Sequence, residues 1–337
     1  MKLLEFILGL AALIFLHELG HFVAARLLKV EVEEFGIGFP PRLVKLFEFK
    51  GTEYTLNWLP LGGFVRLKGE NDPEVEGGFS SASPWARLGI LVAGPLTNLV
   101  VGIALAISFF YLSGEPVEYS VYVTDIAPGS PAEAAGLQSG DIFVSINGQK
   151  IDYGQTLVTL IGQNLEKSVD LLMQRGDDTY SVSLVPRAEH PENEGAMGVV
   201  LDSQYQSISL MAAADTGIKA TSEYIYQVFS LPVRILRGQA SPSEGRLVGY
   251  KGMYDIYQLL PTLWFFAIIS TGLGVMNILP IPALDGGRIA LTLPEIIIRR
   301  RIPAKYETAI HLVGFATLLL LLLYINIQDF VNPAILP

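Results

Sequence analysis

His17 and His21 stand four residues apart in the run His17-Glu18-Leu19-Gly20-His21, so on a helix they project from one face. Two imidazoles so spaced can hold one zinc ion. Glu18 follows the first histidine and is placed to act as general base toward a water molecule. Zinc lowers the pKa of its water to about 7, which makes hydroxide available at neutral pH. The bland alternative is a pair of hydrogen-bonded helix histidines beside a buried acid. Against it, two of only four histidines fall in this motif, directly after Leu13-Ile14-Phe15-Leu16. Ionisable residues in so apolar a helix are costly and mark function. The chain has no cysteine, which excludes thiolate zinc ligation, disulfides and Cys-His catalysis.

A catalytic zinc site takes a third protein ligand and keeps one position open. His190 lies in the polar stretch Glu189-His190-Pro191-Glu192-Asn193 and reads as a solvated surface residue. His311 sits in the last apolar segment and reads as a structural contact. Asp285 is the better candidate: a carboxylate in an apolar region just after Pro280 and Pro282. Those prolines break a helix, and backbone groups freed at membrane depth need partners or a water-filled cavity. An ordinary surface turn at Asp285-Gly286-Gly287 is the plainer alternative.

The elements that must position these groups are largely apolar. Of 337 residues, 50% are hydrophobic and 17% charged, and the mean hydropathy is +0.42. A bilayer takes about 20 apolar residues to cross. Four segments qualify, roughly Leu3 to Leu28, Gly89 to Leu112, Leu259 to Asn277 and Ala309 to Ile327. The first carries a chemical motif and lacks a cleavage site after its apolar run, so it is no signal peptide. Gly20 and Ala24 have the spacing that lets a second helix approach closely. In the second segment, Asn98 should face protein and not lipid.

Charge orients the chain. Arg288, Arg299, Arg300, Arg301 and Lys305 crowd one short stretch against Glu295 alone, whereas Gly114 to Gln258 holds 18 acidic and 9 basic residues. Basic short loops stay cytoplasmic. The acidic segment and both termini are then expected outside. An acidic surface without basic stripes excludes nucleic acid as a partner.

Between the first two segments, Leu43 to Phe49, Tyr54 to Trp58 and Phe64 to Lys68 read as short strands in hairpins bounded by glycines. Residues 117–187 read as one small soluble domain. Ser130-Pro131-Ala132, Ala135-Gly136-Leu137 and Gly140-Asp141 resemble the bacterial, circularly permuted PDZ domain, which implies peptide binding by strand addition. Residues 208–237 are helical in character, and Ser241 to Gly252 reads as a loop.

With these pieces in order, the chain resembles the site-two protease family of intramembrane zinc metalloproteases, in its bacterial single-PDZ form. The matching residues are the His17 to His21 motif, Leu61-Gly62-Gly63-Phe64-Val65, Gly94-Pro95 with Asn98, the PDZ stretch, and Asn277 through Gly287. The resemblance implies Zn2+ held by His17, His21 and Asp285, with Glu18 as catalytic acid/base. It implies substrate contacts at Asn277 and along Gly63, Phe64, Val65 and Arg66, on a strand of a membrane-re-entrant β-element. The loop before the third helix usually carries a Gly-Pro pair; here Leu247-Val248-Gly249-Tyr250 has none.

The expected fold is thus a polytopic α-helical membrane protein of about four transmembrane helices, with a re-entrant β-element and one inserted α/β PDZ domain. Residues 1–28 form helix one and 29–88 the cytoplasmic-side β-loop. Helix two takes 89–113, the extracytoplasmic PDZ domain 114–189, and a linker with an amphipathic helix 190–258. The broken third helix takes 259–298, a cytoplasmic loop 299–308, and helix four 309–330. The expected location is the inner (plasma) membrane, with the active site toward the cytoplasmic side. Expected substrates are single-span membrane proteins such as anti-sigma factors, or remnant signal peptides, and the PDZ domain is suited to a peptide or C-terminus. The competing functions are a non-catalytic receptor or adaptor built on the PDZ domain, and a transporter. A transporter has no use for Glu18 between two ligands, and an inactive relative would be expected to have lost one of the four site residues.

Overall fold

The computed structural model describes residues 1–337 except 71, 73, 192, 193, 240–245, 301 and 332–337. The chain divides into two compact units. One takes Met1–Ser108 together with the described residues from Asp215 onward; the other is Phe109–Ala214.

The first unit begins with helix α1 (Lys2–Leu27). Its buried positions are Phe6, Leu13, His17, His21 and Ala25, so the two histidines lie on the stripe that faces other helices. Two strands follow, β1 (Val32–Phe49) and β2 (Thr52–Leu67), paired antiparallel from Val32↔Leu67 to Phe49↔Thr52. They replace the several short hairpins expected from the sequence. The glycines and prolines that read as turns fall instead within continuous strands whose register shifts repeatedly. Such bulges absorb residues a regular ladder cannot. The base of this ribbon packs Val32 and Leu67 with Ala25, Phe79, Ile90 and Leu91. Its far half exposes Leu43, Val44, Leu46, Phe47, Phe49 and Trp58.

Helix α2 (Pro84–Ser113) carries Pro95 inside it. Among the described residues, α1, α2 and the last helix are long and apolar enough to cross a membrane. The third expected span is shorter: α7 (Thr262–Ile278) has 17 residues. It stops ahead of Pro280 and Pro282, which cannot donate to a continuing helix.

In the second unit a six-stranded antiparallel sheet has the order β7-β6-β4-β3-β8, with β5 paired to β4. The strands are β3 (Glu115–Ile126), β4 (Ile142–Ile146), β5 (Gln149–Lys150), β6 (Val169–Arg175), β7 (Asp178–Leu184) and β8 (Val199–Gln206). Helices α3 (Pro131–Ala134) and α4 (Gly154–Gly162) complete it. Ser130 caps α3, its side chain accepting from the Glu133 N–H at 3.2 Å. The core is Val121, Val123, Phe143, Ile146, Leu157, Val169, Leu171 and Met173. β8 lies in a stretch that reads as linker, because only Val199 and Leu201 of its inward positions are apolar and pack on this core.

Four more helices, α5 (Leu210–Leu236), α6 (Tyr250–Leu259), α8 (Asp285–Ile298) and α9 (Ala304–Val331), complete the chain. The stretch 240–245 lies outside the described residues, and Tyr250 to Gly252 already belong to α6. The α6 N-terminus has no side-chain cap of its own. Two residues of α9 serve instead: Asp329 Oδ2 accepts from Gly249 N–H (2.8 Å) and Gly252 N–H (3.0 Å), and Asn326 Oδ1 from Tyr250 N–H (3.1 Å).

Asp141, fully buried in the second unit, ties its strands together. It accepts from the Gln138 N–H (2.6 Å), from Arg175 Nε and Nη2 (2.6 and 2.8 Å), and from the Tyr180 hydroxyl (2.6 Å). Burial pushes its carboxyl upward, but the hydrogen bonds from Arg175, Tyr180 and the Gln138 N–H prevail and hold it below its ordinary value. Burial, then the Asp141 carboxylate, pushes the Tyr180 phenol up to about 12. A depressed carboxyl contributes stability above its unfolded pKa, about 3.9, and loses it as pH falls through the folded value. Hydrogen exchange on the full chain should therefore show β4, β6 and β7 losing protection below about pH 4. Asp141→Asn should cost about 2 to 3 kcal/mol at neutral pH and flatten this dependence. Equal protection in the variant would contradict the assignment.

Candidate metal centre

The site forms where three helices meet. α1 can approach α2 because residue 20 is glycine: a Cβ there would lie 2.6 Å from the Ala93 carbonyl oxygen. Gly94 answers on α2. A Cβ at Gly94 would press on His21 Nε2 and lie 2.8 Å from His17 Nε2, so the space in front of both rings exists only because this side chain is missing.

Asp285 enters from the first turn of α8. The chain breaks over 279–284, with Ala283 in the left-handed region at φ +77°. The Ala283 N–H donates to His311 Nδ1 of α9 at 2.9 Å, so His311 supports the break and does not join the cluster. Gly286 and Gly287 let α8 restart against the break itself. Cβ atoms there would strike the Ile278 and Ile281 carbonyl oxygens, each at 2.5 Å. The pair of glycines after Asp285 thus reflects backbone packed on backbone.

His17 Nε2 lies 3.0 Å from Asp285 Oδ2, His21 Nε2 lies 3.3 Å from it, and the two Nε2 atoms are 3.1 Å apart. Donors about 2.0 to 2.1 Å from a tetrahedral zinc stand about 3.3 Å from one another, so these edges are of the size a shared ion requires. Both histidines are buried, each 9% exposed.

The opposite ring nitrogens are also held. His21 Nδ1 lies 2.8 Å from the Ile90 carbonyl oxygen, which can only accept, so Nδ1 carries the proton and Nε2 offers its lone pair. His17 Nδ1 meets the side-chain amide of Asn98 at 3.2 Å. Asn98 Oδ1 is buried and without a partner among the described residues. Half a turn of the amide sets Oδ1 against His17 Nδ1–H, which satisfies the orphan and frees His17 Nε2 for a ligand. The backbone carbonyl of Asn98 accepts from Ser270 Oγ of α7 at 2.8 Å, fixing this residue from a third helix. The donor set therefore fits a zinc ion.

Glu18 lies on α1 between the histidines, and its Oε2 accepts from the Val65 N–H of β2 at 3.1 Å. Glu18, His21, Phe64, Val65 and Asp285 line one cavity of about 370 Å³. Glu70 and Arg288, joined as an ion pair, line it too. The other expected site residues stand differently. Gly63 packs against the Gly36 carbonyl. Arg66 is engaged by Glu34 at 2.6 Å and Glu33 at 3.2 Å. Asn277 Nδ2 donates to the Leu273 carbonyl of its own helix at 3.0 Å. His190 makes a local contact with the Pro191 carbonyl in the other unit.

The roles of the Ile90 carbonyl and the Val65 amide have no signature in residue type. Asn98 had one, as an amide in an apolar helix, though not its target.

The sequence pattern of peptidase family M50 matches residues 5–321. The chain is 34% identical over 341 residues to "Putative zinc metalloprotease CPE1693" of Clostridium perfringens, covering 97% of this chain and 98% of that one. It is 26% identical over 417 residues to "Regulator of sigma-W protease RasP" of Bacillus subtilis, covering 97% of each. Among solved structures, the PDZ domain of the SdrC-like protein from Listeria monocytogenes aligns with 26% of this chain and 92% of that one, at 22% identity and a TM-score of 0.23.

Partners that orient metal-binding histidines matter to affinity by about 10- to 100-fold. Asn98→Ala should weaken zinc binding by that factor in a chelator competition, with α-helical content unchanged. Unaltered affinity would remove Asn98 from the site.

Proposed function

Because the chain belongs to peptidase family M50, the site-two protease family, we propose that it is a zinc-dependent endopeptidase that cuts peptide bonds in or near membrane-spanning segments. The observation that carries this reading is the convergence of His17, His21 and Asp285 beside Glu18, where Glu18, His21 and Asp285 line one cavity and α1 and α2 are apolar enough to span a membrane. His17, His21 and Asp285 would hold the zinc, which when bound polarises a carbonyl and acidifies water.

Glu18 moves the protons. Its carboxylate takes the proton of the attacking water and passes it to the amide nitrogen as the C–N bond breaks. The Val65 N–H, directed at Glu18 Oε2, orients the carboxylate and leaves its other oxygen for the water. Val65 thus differs from the sequence expectation: its amide serves Glu18, not an incoming strand.

A substrate helix has its own amides engaged and must unwind before attack. Phe64 and Val65 line the cavity, so the end of β2 is the strand beside which an unwound segment lies. Gly63 packs on the Gly36 carbonyl and so brings β1 close behind this strand, and Arg66 and Asn277 would contact the substrate after exchanging their present partners. The exposed apolar half of the β1–β2 ribbon suits re-entry into lipid. Four spans follow if α7, its break and α8 together count as the third. The crowded arginines after α8 favour a cytoplasmic loop, and the acidic second unit an extracytoplasmic place. In that unit β7 and β8 are the sheet's outer strands, and a PDZ-type peptide site would use such an edge. Single-span membrane proteins, anti-sigma factors among them, are the substrates this arrangement suits.

Two variants test the chemistry with a single-span model substrate in proteoliposomes. Glu18→Gln should keep its zinc and fold, and lose at least 100-fold in turnover, since an amide cannot accept the water's proton. Val65→Pro removes the N–H that Glu18 uses, and should lower kcat with zinc content near normal. Wild-type turnover by Glu18→Gln would refute the assigned base.

A further inference from the structure

A second cavity of about 460 Å³ opens between the first turn of α2 and the last turn of α8. Trp85, Arg87, Glu295, Arg299 and Arg300 are among its walls. Arg87 and Glu295, each 4% exposed, form an ion pair inside it. The glutamate is fully committed: Oε2 meets Arg87 Nη2, and Oε1 accepts from the Ile302 N–H at 3.1 Å. The arginine is not. Its Nε is buried with no hydrogen-bond partner among the described residues. Arg299 and Arg300 are exposed, and neither pairs with a carboxylate among the described residues. Two guanidinium groups, of Arg299 and Arg300, therefore stand uncompensated beside an Arg87–Glu295 pair that is already neutral.

A cavity so lined takes an anion, and its rim says which kind. Trp85 is 67% exposed, and beside Arg299 stand Ile297 and Ile298, 82% and 64% exposed. Trp85 lies at the very start of a helix long enough to span a membrane, the depth at which tryptophan and arginine meet lipid headgroups. We infer that this cavity binds the phosphate of an anionic phospholipid, with its acyl chains along Trp85, Ile297 and Ile298. Inorganic phosphate would satisfy the arginines but leave that apolar rim uncovered. The occupied site ties the start of α2, which carries Asn98, to the end of α8, which begins with Asp285. The inference rests on the membrane placement proposed above, not on the catalytic chemistry.

The test uses the purified full-length chain. Lipid retention is measured by native mass spectrometry, and the unfolding midpoint in vesicles of phosphatidylcholine, of phosphatidylcholine with phosphatidylglycerol, and of phosphatidylcholine with added inorganic phosphate. Phosphatidylglycerol should be retained and should raise the midpoint; inorganic phosphate should not. A hydrogen bond to a charged group contributes about 1.5 kcal/mol or more, so Arg299→Gln with Arg300→Gln should weaken retention about 100-fold. Lys29→Gln with Lys305→Gln removes the same charge elsewhere in this unit and should leave retention within about twofold. Equal losses in the two pairs would mean diffuse surface attraction and overturn the site. So would an equal midpoint shift from inorganic phosphate, or no response to phosphatidylglycerol. Glu18→Gln should respond to lipid like the wild type, so a failure of the protease reading and a failure of this one are told apart.

Discussion

A polar group held among apolar helices must find a partner within the protein, because lipid offers none. That constraint organises the centre of this molecule. Each histidine is held at both ring nitrogens, one side by a fixed acceptor or amide, the other by its neighbours in the cluster. Glu18 takes a backbone N–H, and the broken chain before Asp285 is braced by His311. Groups that would be liabilities singly become a preorganised set when each is aimed by another.

Close approach is what makes those partnerships possible. Gly20, Gly94, Gly286, Gly287 and Gly314 all lie where a methyl group would meet the backbone or side chain of another segment. Gly314 of α9 rests on Pro282, just ahead of the residue that His311 braces. The helices are thus brought within hydrogen-bonding distance by what they lack. The same logic explains the break: Pro280 and Pro282 stop α7, and the glycines let α8 begin again directly against the exposed carbonyls.

The cluster of His17, Glu18, His21 and Asp285 is legible in the sequence because its signals are local. An i, i+4 pair of histidines with an acid between them is readable without any tertiary information, and Asp285 stands out as a carboxylate after two prolines in apolar surroundings. What orients the cluster was not legible. Asn98 lies 81 residues from His17, the Ile90 carbonyl 69 from His21, and the Val65 amide 47 from Glu18. Two of those three partners are backbone atoms, which every residue type supplies alike. The β1–β2 ribbon reads as several hairpins for a related reason: its glycines and prolines mark bulges inside strands, and composition alone does not separate a bulge from a turn. β8 has no such signature, because a strand with two apolar inward positions carries too little alternation to read.

The proposed metal centre stands or falls with Asp285, 264 residues beyond His21 in the chain, as the third donor beside the two histidines. X-ray absorption at the zinc edge of the purified, zinc-loaded protein tests it directly. The spectrum should show two imidazole nitrogens and carboxylate oxygen bound to the zinc, without sulfur. In Asp285→Asn the carboxylate component should be lost while both imidazoles remain. An unchanged first shell in that variant, or a shell with fewer than two imidazoles in the wild type, would contradict it.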